Sequence, residues 1–172
     1  QSAAFARIRR ACFGGGGAVR RDAVLARAYT DSSGTADAFR SERMRLHHIA
    51  LWSEDIERLS AFYRKYFGAC AGETYVNREK GFSSIFLRFE EGCSIELMHM
   101  ASIPGNANDP EAQYIGLIHM AISVDGEGEV DAKTEELRRD GYTIVSEPRR
   151  TGDGYYESCV FDPDGNRIEI TV

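Results

Sequence analysis

Apolar residues near the middle of the chain first alternate with polar ones, as in a β-strand, and then recur at helical spacing. Residues 46–52 predict a strand. A helix follows, starting near Asp55 and ending near Gly68, because Asp favours helix starts and Gly favours helix C-caps. The predicted buried stripe of this helix consists of Ile56, Leu59, Phe62, Tyr63, Tyr66 and Phe67. Short strands follow around residues 71–77, 83–90 and 93–99.

The same order of elements recurs after a Pro-, Gly- and Asn-rich linker, residues 101–115. The second set comprises a strand at about 117–124, a less apolar helix at about 127–139, and strands near 142–147, 156–162 and 166–172. A His and a Glu also recur at nearly the same separation: His119 lies 71 positions after His48, and Glu169 lies 73 positions after Glu96. The sequence therefore predicts two βαβββ modules, about 46–100 and 116–172. Together they predict an α+β fold in which the modules form a curved mixed sheet with helices on its outer face.

The repeated His and Glu residues all lie between apolar neighbours on predicted strands. Successive side chains of a strand point to opposite faces, so burial of those neighbours under the helices would place His48, Glu96, His119 and Glu169 together on the concave face. A single Glu on a strand is usually solvated, but four residues matched between two repeats indicate a shared role. Two imidazoles and two carboxylates suit a divalent transition metal, with positions left open for water or substrate.

Charge and composition narrow the function classes. The 172 residues are 42% apolar and carry a net charge of −6, which divides into +4 over residues 1–43 and −10 over the rest. An acidic body without a basic stripe argues against nucleic acid as a partner, and no apolar run is long enough to span a membrane. The cysteines show no metal-binding spacing and are interpreted as reduced thiols of an intracellular protein, although four cysteines also allow disulfides.

Residues 1–43 differ from the rest of the chain. Residues 1–21 contain five Arg and no acidic residue, and residues 14–17 are four glycines. This pattern is typical either of a disordered tail or of a targeting presequence. The segment 27–33 is similar to a mitochondrial processing site, which favours the presequence. We expect a mitochondrial protein if the presequence is genuine, and a cytoplasmic protein if the segment is a disordered tail.

With these motifs in view, residues 44–172 resemble the vicinal oxygen chelate superfamily and, within it, glyoxalase I (lactoylglutathione lyase). The likeness rests on Leu46-His47-His48-Ile49-Ala50-Leu51, Phe62-Tyr63, Phe67-Gly68, Ser94-Ile95-Glu96-Leu97, Ile118-His119-Met120-Ala121-Ile122-Ser123-Val124 and Phe161-Asp162-Pro163-Asp164-Gly165 before Ile168-Glu169-Ile170. It implies paired βαβββ modules in a homodimer with metal sites near the interface. It also implies that His48, Glu96, His119 and Glu169 are the metal ligands.

The resemblance further implies a reaction. Glyoxalase I converts the hemithioacetal of methylglyoxal and glutathione into a thioester, by moving a proton through a metal-bound enediolate. By analogy Glu169 is the catalytic base, with Glu96 on the opposite side of the substrate. One divalent ion per site is expected, with nickel, cobalt or zinc favoured over manganese or iron.

The expected substrate contacts depart from the family pattern. Trp52 stands where bacterial glyoxalases commonly carry a glutathione-binding Arg, and Met100 stands where they carry an Asn. These departures weigh against glutathione and leave the metal chemistry unchanged. Arg150, Tyr155 and Tyr156, in a Gly-containing loop segment, are further candidates for binding substrate, although an ordinary hairpin turn explains them as well.

Alternatives remain within the same superfamily. An epimerase usually carries a Gln among its ligands, which Glu96 contradicts. Dioxygenases and fosfomycin-modifying enzymes need only two His and one Glu, so the fourth ligand weighs against them. A ligand-sequestering protein of the bleomycin-resistance type generally lacks the metal set altogether.

Overall fold

The computed structural model describes residues 44–172, of which His48–Val172 form one compact unit. The segment predicted to be a tail or presequence, residues 1–43, lies outside the described residues. The elements are β1 (His48–Trp52), α1 (Ile56–Phe67), β2 (Cys70–Ala71), β3 (Tyr75–Asn77), β4 (Phe82–Arg88), β5 (Ser94–Met100), β6 (His119–Ser123), α2 (Glu127–Arg139), β7 (Ile144–Arg150), β8 (Tyr156–Phe161) and β9 (Arg167–Thr171).

The N-terminal module forms a five-stranded sheet. Its order is β1-β5-β4-β2, and β3 also pairs with β4. Strands β1 and β5 are parallel, whereas the other pairs are antiparallel. The single strand predicted around residues 71–77 is observed as two short strands, β2 and β3, on either side of Gly72, whose amide donates to the Phe86 carbonyl at 2.9 Å.

The C-terminal module repeats this topology with four strands in the order β6-β9-β8-β7. Strands β6 and β9 are parallel, and the other pairs are antiparallel. The register between β7 and β8 shifts between residues 144 and 150, as at a β-bulge. The predicted α+β fold of two βαβββ modules is confirmed, and each module contributes its own hydrogen-bonded sheet.

Helix α1 follows its predicted boundaries because both ends are capped. The Asp55 side chain accepts a hydrogen bond from the Arg58 amide at 2.9 Å, and Gly68 adopts the left-handed conformation with φ 64°. The apolar stripe between these caps is buried, and Leu59 and Tyr63 are fully inaccessible to solvent.

Helix α2 has few apolar positions, yet it is well formed. Val130, Thr134 and Leu137 make its fully buried stripe. The Thr134 hydroxyl lies 2.7 Å from the Val130 carbonyl oxygen and 2.7 Å from the Ser158 hydroxyl. These contacts satisfy a buried polar side chain and link α2 to β8.

The two modules share one core through helix α1. Buried residues of both modules belong to a single hydrophobic cluster, which includes Leu59 and Leu97 from the first and Val160 and Ile168 from the second. The Phe62 ring packs against the Tyr142 ring with a centroid distance of 4.9 Å. Helix α1 therefore covers the first sheet and also contacts the second module.

Two sequence expectations concern membranes and thiols. None of the helices between residues 44 and 172 has the length and apolar character to cross a membrane. Cys93 and Cys159 are free thiols, as the sequence predicted, whereas Cys12 lies outside the described residues.

Candidate metal centre

Each module places one His and one Glu on the same face of its sheet. In the N-terminal module, His48 of β1 pairs with Ser94 of β5, so Glu96 lies two residues farther along β5 and points to the same side. In the C-terminal module, His119 of β6 pairs with Arg167 of β9, and Glu169 lies two residues farther along β9. The predicted repeat is thus reproduced in strand register.

The two His–Glu pairs have nearly the same geometry. His48 Nε2 lies 3.7 Å from Glu96 Oε2, and His119 Nε2 lies 3.6 Å from Glu169 Oε2. The His side chains are 38% and 41% exposed, and the Glu side chains 17% and 18%. Because the apolar neighbours on the opposite face are buried under the helices, both pairs lie on the open faces of their sheets.

The donor atoms of each pair fit one divalent ion. Two ligands at about 2.1 Å from an ion lie roughly 3.0–3.4 Å apart in octahedral or tetrahedral coordination, so the observed separations need only a small closure. Imidazole nitrogen with carboxylate oxygen is a donor set that suits first-row transition metals. Each pair would supply two ligands, which is half of the predicted set.

The structure does not bring all four residues together within one chain. Among residues 44–172, no three His, Cys, Asp or Glu side chains lie close enough to share an ion. His48 is brought to Glu96 and His119 to Glu169, but the two pairs remain separate, because each belongs to its own sheet. We call the first pair the N-terminal half-site and the second the C-terminal half-site.

The surroundings of the C-terminal half-site perturb the carboxyl group of Glu169. Burial raises the pKa of Glu169 above its usual value, the charge on His119 opposes this rise, and neighbouring Glu157 adds to it. Cys159 pairs with Glu169 across strands β8 and β9, and burial raises the pKa of its thiol. The half-site is therefore a partly dry, polar environment.

The N-terminal half-site is bordered by apolar and aromatic side chains. Trp52 and Met98 are register partners on β1 and β5, and Met100 is the register partner of Phe82 on β4. The Trp52 and Phe82 rings meet edge to face with centroids 6.1 Å apart. Trp52 and Met100, predicted as substrate contacts, thus lie on the same face as Glu96 and bring no charge to it.

The other predicted substrate contacts lie elsewhere. Arg150 is the register partner of Tyr156, and both reach towards α2, where Arg150 Nη2 donates to Glu127 and Tyr156 Oη donates to Asp131 at 2.9 Å. They do not share a face with the C-terminal half-site. Tyr155 is exposed in the loop that precedes β8.

The sequence presents Arg149 and Arg150 as an adjacent pair that could meet an anion, and it does not indicate that Arg149 is the one beside the C-terminal half-site. Arg149 is the register partner of Glu157, which shares the open face with Cys159 and Glu169. Alternation along β8 places Glu157 on the same face as Cys159, but it does not show which residue of β7 lies beside them. The irregular register of β7 hides this relationship in the sequence.

Comparison with known proteins agrees with this architecture. Residues 45–170 match the Glyoxalase/Bleomycin resistance protein/Dioxygenase superfamily. The uncharacterized protein YwkD of Bacillus subtilis is 32% identical over 127 residues, which are 73% of this chain and 94% of YwkD. The mitochondrial methylmalonyl-CoA epimerase of Bos taurus is 29% identical over 114 residues, which are 63% of this chain and 61% of the epimerase.

Solved structures of low sequence identity share the fold. A glyoxalase family protein of Enterococcus faecalis superimposes with a TM-score of 0.60 at 23% identity, covering 74% of this chain and 97% of that protein. Glyoxalase I of Zea mays superimposes with a TM-score of 0.59 at 22% identity, and this chain spans only 44% of it. The repeated βαβββ topology and the match over most of its length show that the chain belongs to the Glyoxalase/Bleomycin resistance protein/Dioxygenase superfamily.

Proposed function

We propose that this protein is a metal-dependent enzyme that moves a proton between adjacent carbons of a small carbonyl compound, as glyoxalase I-type carbon–sulfur lyases do. The observation that carries the proposal is the pair of equivalent His–Glu half-sites, each with donor atoms 3.6–3.7 Å apart. If the two pairs served only to stabilise the fold, their His and Glu side chains would not need to be equally exposed on the open faces of the two sheets.

A complete centre needs a second copy of the chain. The N-terminal half-site of one protomer would meet the C-terminal half-site of its partner, which gives His48, Glu96, His119 and Glu169 as ligands of one divalent ion. This arrangement uses the open faces that a single chain leaves exposed, including the 43% exposed Trp52. A two-fold homodimer would contain two such centres, because each protomer contributes both halves. Nickel, cobalt and zinc are the preferred ions, with manganese and iron next.

The roles of the two Glu residues follow from their surroundings. The ion, when bound, polarises the substrate's oxygen atoms and stabilises developing negative charge. Glu169 takes the proton from carbon, the role that the resemblance to glyoxalase I implies for it, and its carboxylate lies on the open face of β9 where a substrate would bind. Glu96 lies beside the apolar side chains of the N-terminal half-site. It would bind the ion on the side of the substrate opposite Glu169.

The residues around the N-terminal half-site do not favour glutathione as the thiol component of the substrate. Trp52 and Met100 carry no charge that could pair with the charged ends of glutathione, and with Phe82 they form a largely apolar surface instead. This surface favours a substrate with an apolar group beside the reacting carbon. The substrate is thus a small vicinal-oxygen compound, either the methylglyoxal–glutathione hemithioacetal or a less polar analogue.

A second candidate is epimerisation beside a carbonyl. Three mitochondrial methylmalonyl-CoA epimerases, 27–29% identical to this chain, favour it. The reaction begins with the same proton abstraction, so Glu169 would keep its role. Glu96 weighs against it, because a Gln is usual at the corresponding ligand position.

The decisive experiment measures turnover by metal-stripped protein reloaded separately with nickel, cobalt, zinc, manganese or iron. One assay follows thioester formation from methylglyoxal and glutathione, and a second follows exchange of the substrate α-proton of methylmalonyl-CoA with deuterated water. Glu169→Gln should abolish turnover in whichever assay is positive. Thr74→Ala, which removes an exposed hydroxyl outside both half-sites, serves as the control that keeps turnover. Failure of the protein to bind any of the five ions would overturn the proposal.

A further inference from the structure

The open face of the C-terminal sheet contains a cavity of about 550 Å³ beside Glu169. His119 and Glu169 line it together with Arg149, Glu157 and Arg167. This volume lies within the range of about 300–1,000 Å³ that small-molecule sites occupy. The cavity therefore adjoins the C-terminal half-site and is large enough to hold a part of the substrate that lies away from the reacting carbon.

The two arginines of this cavity are not equivalent. Arg167 Nη2 donates to the carbonyl oxygens of Pro110 and Glu111 at 2.9 and 2.8 Å, and its guanidinium lies over the Phe161 ring. These contacts hold the linker between the modules against the start of β9. Arg167 therefore has a structural task at the edge of the cavity.

Arg149 is less constrained. Its Nε donates to the Ser146 hydroxyl at 3.2 Å, and its Nη2 lies 3.4 Å from Glu157 Oε1, which is a long contact for an ion pair. The side chain is 54% exposed. A guanidinium has five N–H donors in a planar fork that matches a carboxylate, so Arg149 retains donors that can face a ligand.

We propose that Arg149 determines specificity by binding a carboxylate of the substrate at a point remote from the reacting carbon. The proposal rests on the proposed function, since it places the substrate between Arg149 and the C-terminal half-site. Its substrate class is a carbonyl or hydroxy compound that carries a separate carboxylate group. Arg149 is then a substrate-binding residue of the polar half of the site, opposite the apolar half formed by Trp52, Met100 and Phe82.

The charge of the cavity selects carboxylate over phosphate. Glu111, Glu157 and Glu169 also line the cavity. A doubly charged phosphate would face these carboxylates, whereas a singly charged carboxylate can share the Arg149 fork with Glu157 at lower repulsive cost. Because the Arg149–Glu157 contact is long, a substrate carboxylate can replace Glu157 as the partner of the Arg149 guanidinium.

The test compares two probes that share one metal-chelating group. Lactate and malate share a 2-hydroxycarboxylate group, and malate carries an additional carboxylate. Titration calorimetry with nickel-loaded full-length protein should give tighter binding of malate than of lactate by about tenfold, the factor expected for one charge-assisted hydrogen-bonded pair. Arg149→Gln should remove this preference and leave lactate binding unchanged, which also shows that the variant is folded. 3-Phosphonolactate, which keeps the 2-hydroxycarboxylate and carries a phosphonate in place of the second carboxylate of malate, should bind no better than malate, and tighter binding would contradict the preference for a carboxylate.

Arg150→Gln is the matched control, because Arg150 follows Arg149 in the chain but reaches towards Glu127 on α2. It should keep the preference for malate. Equal binding of malate and lactate by the unaltered protein, or a preference that survives Arg149→Gln, would overturn this inference alone. Failure of the metal-loaded protein to bind either probe would contradict the proposed function instead, so the two failures are distinguishable.

Discussion

Tyr63 Oη donates a hydrogen bond of 2.9 Å to Asp162 Oδ2, and this bond joins the two modules. Tyr63 is fully buried on α1, and Asp162, at the start of the β8–β9 turn, is 4% exposed. Asp162 also accepts hydrogen bonds from the backbone amides of Asp164 and Asn166, each at 2.9 Å. Burial raises the pKa of both the Tyr63 phenol and the Asp162 carboxyl. The turn before the strand of Glu169 is thereby held by a helix of the other module.

The first prediction concerns this bond. Tyr63→Phe removes one donor and leaves a buried carboxylate oxygen with one partner fewer. The Asn166 side-chain amide still donates to this oxygen at 2.9 Å, so the free energy of unfolding should fall by about 1.5–3 kcal/mol, as expected for the loss of one hydrogen bond to a charged group. Urea unfolding followed by circular dichroism measures this change.

Tyr156→Phe is the matched control for that measurement. Its hydroxyl also donates to an Asp, at 2.9 Å, but the bond to Asp131 is exposed. Its loss should lower the free energy of unfolding by less than the loss of the Tyr63 hydroxyl. Equal effects of the two substitutions would show that burial of the Tyr63–Asp162 bond adds nothing to stability.

The second prediction tests whether the half-sites combine between protomers. His48→Ala and His119→Ala should each abolish metal-dependent turnover, because each removes one ligand from every centre. After equal amounts of the two variants are mixed and their subunits exchange, half of the dimers are heterodimers with one intact centre. Turnover should therefore recover to about a quarter of that of the unaltered protein.

The mixture is compared with each variant treated alone in the same way, and size-exclusion chromatography with light scattering checks for dimers. No recovery after demonstrated subunit exchange would mean that both halves of a centre come from the same chain. A monomer with full turnover would lead to the same conclusion.

The third prediction concerns the apolar surface beside Glu96. Trp52→Arg restores a cation at the position where glutathione-dependent relatives commonly carry one. It should lower KM for the methylglyoxal–glutathione hemithioacetal by about threefold to tenfold, since one new charge-assisted contact forms at a partly exposed site. Trp52→Gln controls for loss of the indole ring and its contact with Phe82. An equal change in KM in both variants would exclude a charge effect.

The fourth prediction concerns pH. Hydrogen bonds from Lys65, at 2.7 Å, and from Tyr66, at 2.5 Å, lower the pKa of Asp140 below its usual value. Because the folded-state pKa is depressed, the ionised carboxylate stabilises the protein above the unfolded-state pKa of about 3.9, and this stabilisation is lost as the pH falls through the folded-state value.

Asp140→Asn should therefore lower the urea midpoint at neutral pH and make it fall less steeply between pH 5 and pH 2.5, about the range in which Asp residues titrate. Asp153→Asn, in the loop before β8, is the control and should titrate like the unaltered protein. If the urea midpoints of the Asp140→Asn variant and the unaltered protein fell equally steeply with decreasing pH, the role assigned to the Lys65–Asp140 contact would be contradicted.

Much of the fold could be read from the sequence because its signals are local. The apolar stripe of α1, the Asp55 and Gly68 caps and the alternation around Glu96 and Glu169 depend only on the spacing of residues within a single element. The repeat of His and Glu positions at nearly constant separation indicated two modules without knowledge of any contact. The Asp162-Pro163-Asp164-Gly165 turn is likewise local, and Gly165 adopts the left-handed conformation that glycine favours, with φ 81°.

Other features depended on contacts between distant elements. Alternation within a strand shows which residues share a face, but not whether faces of two sheets meet, so the separation of the His48–Glu96 and His119–Glu169 pairs emerged only in three dimensions. The choice between Arg149 and Arg150 depended on an irregular β7–β8 register that no local pattern encodes. The sequence by itself therefore determined the modules and the residue types of the candidate centre, whereas tertiary packing decided which of those residues lie together.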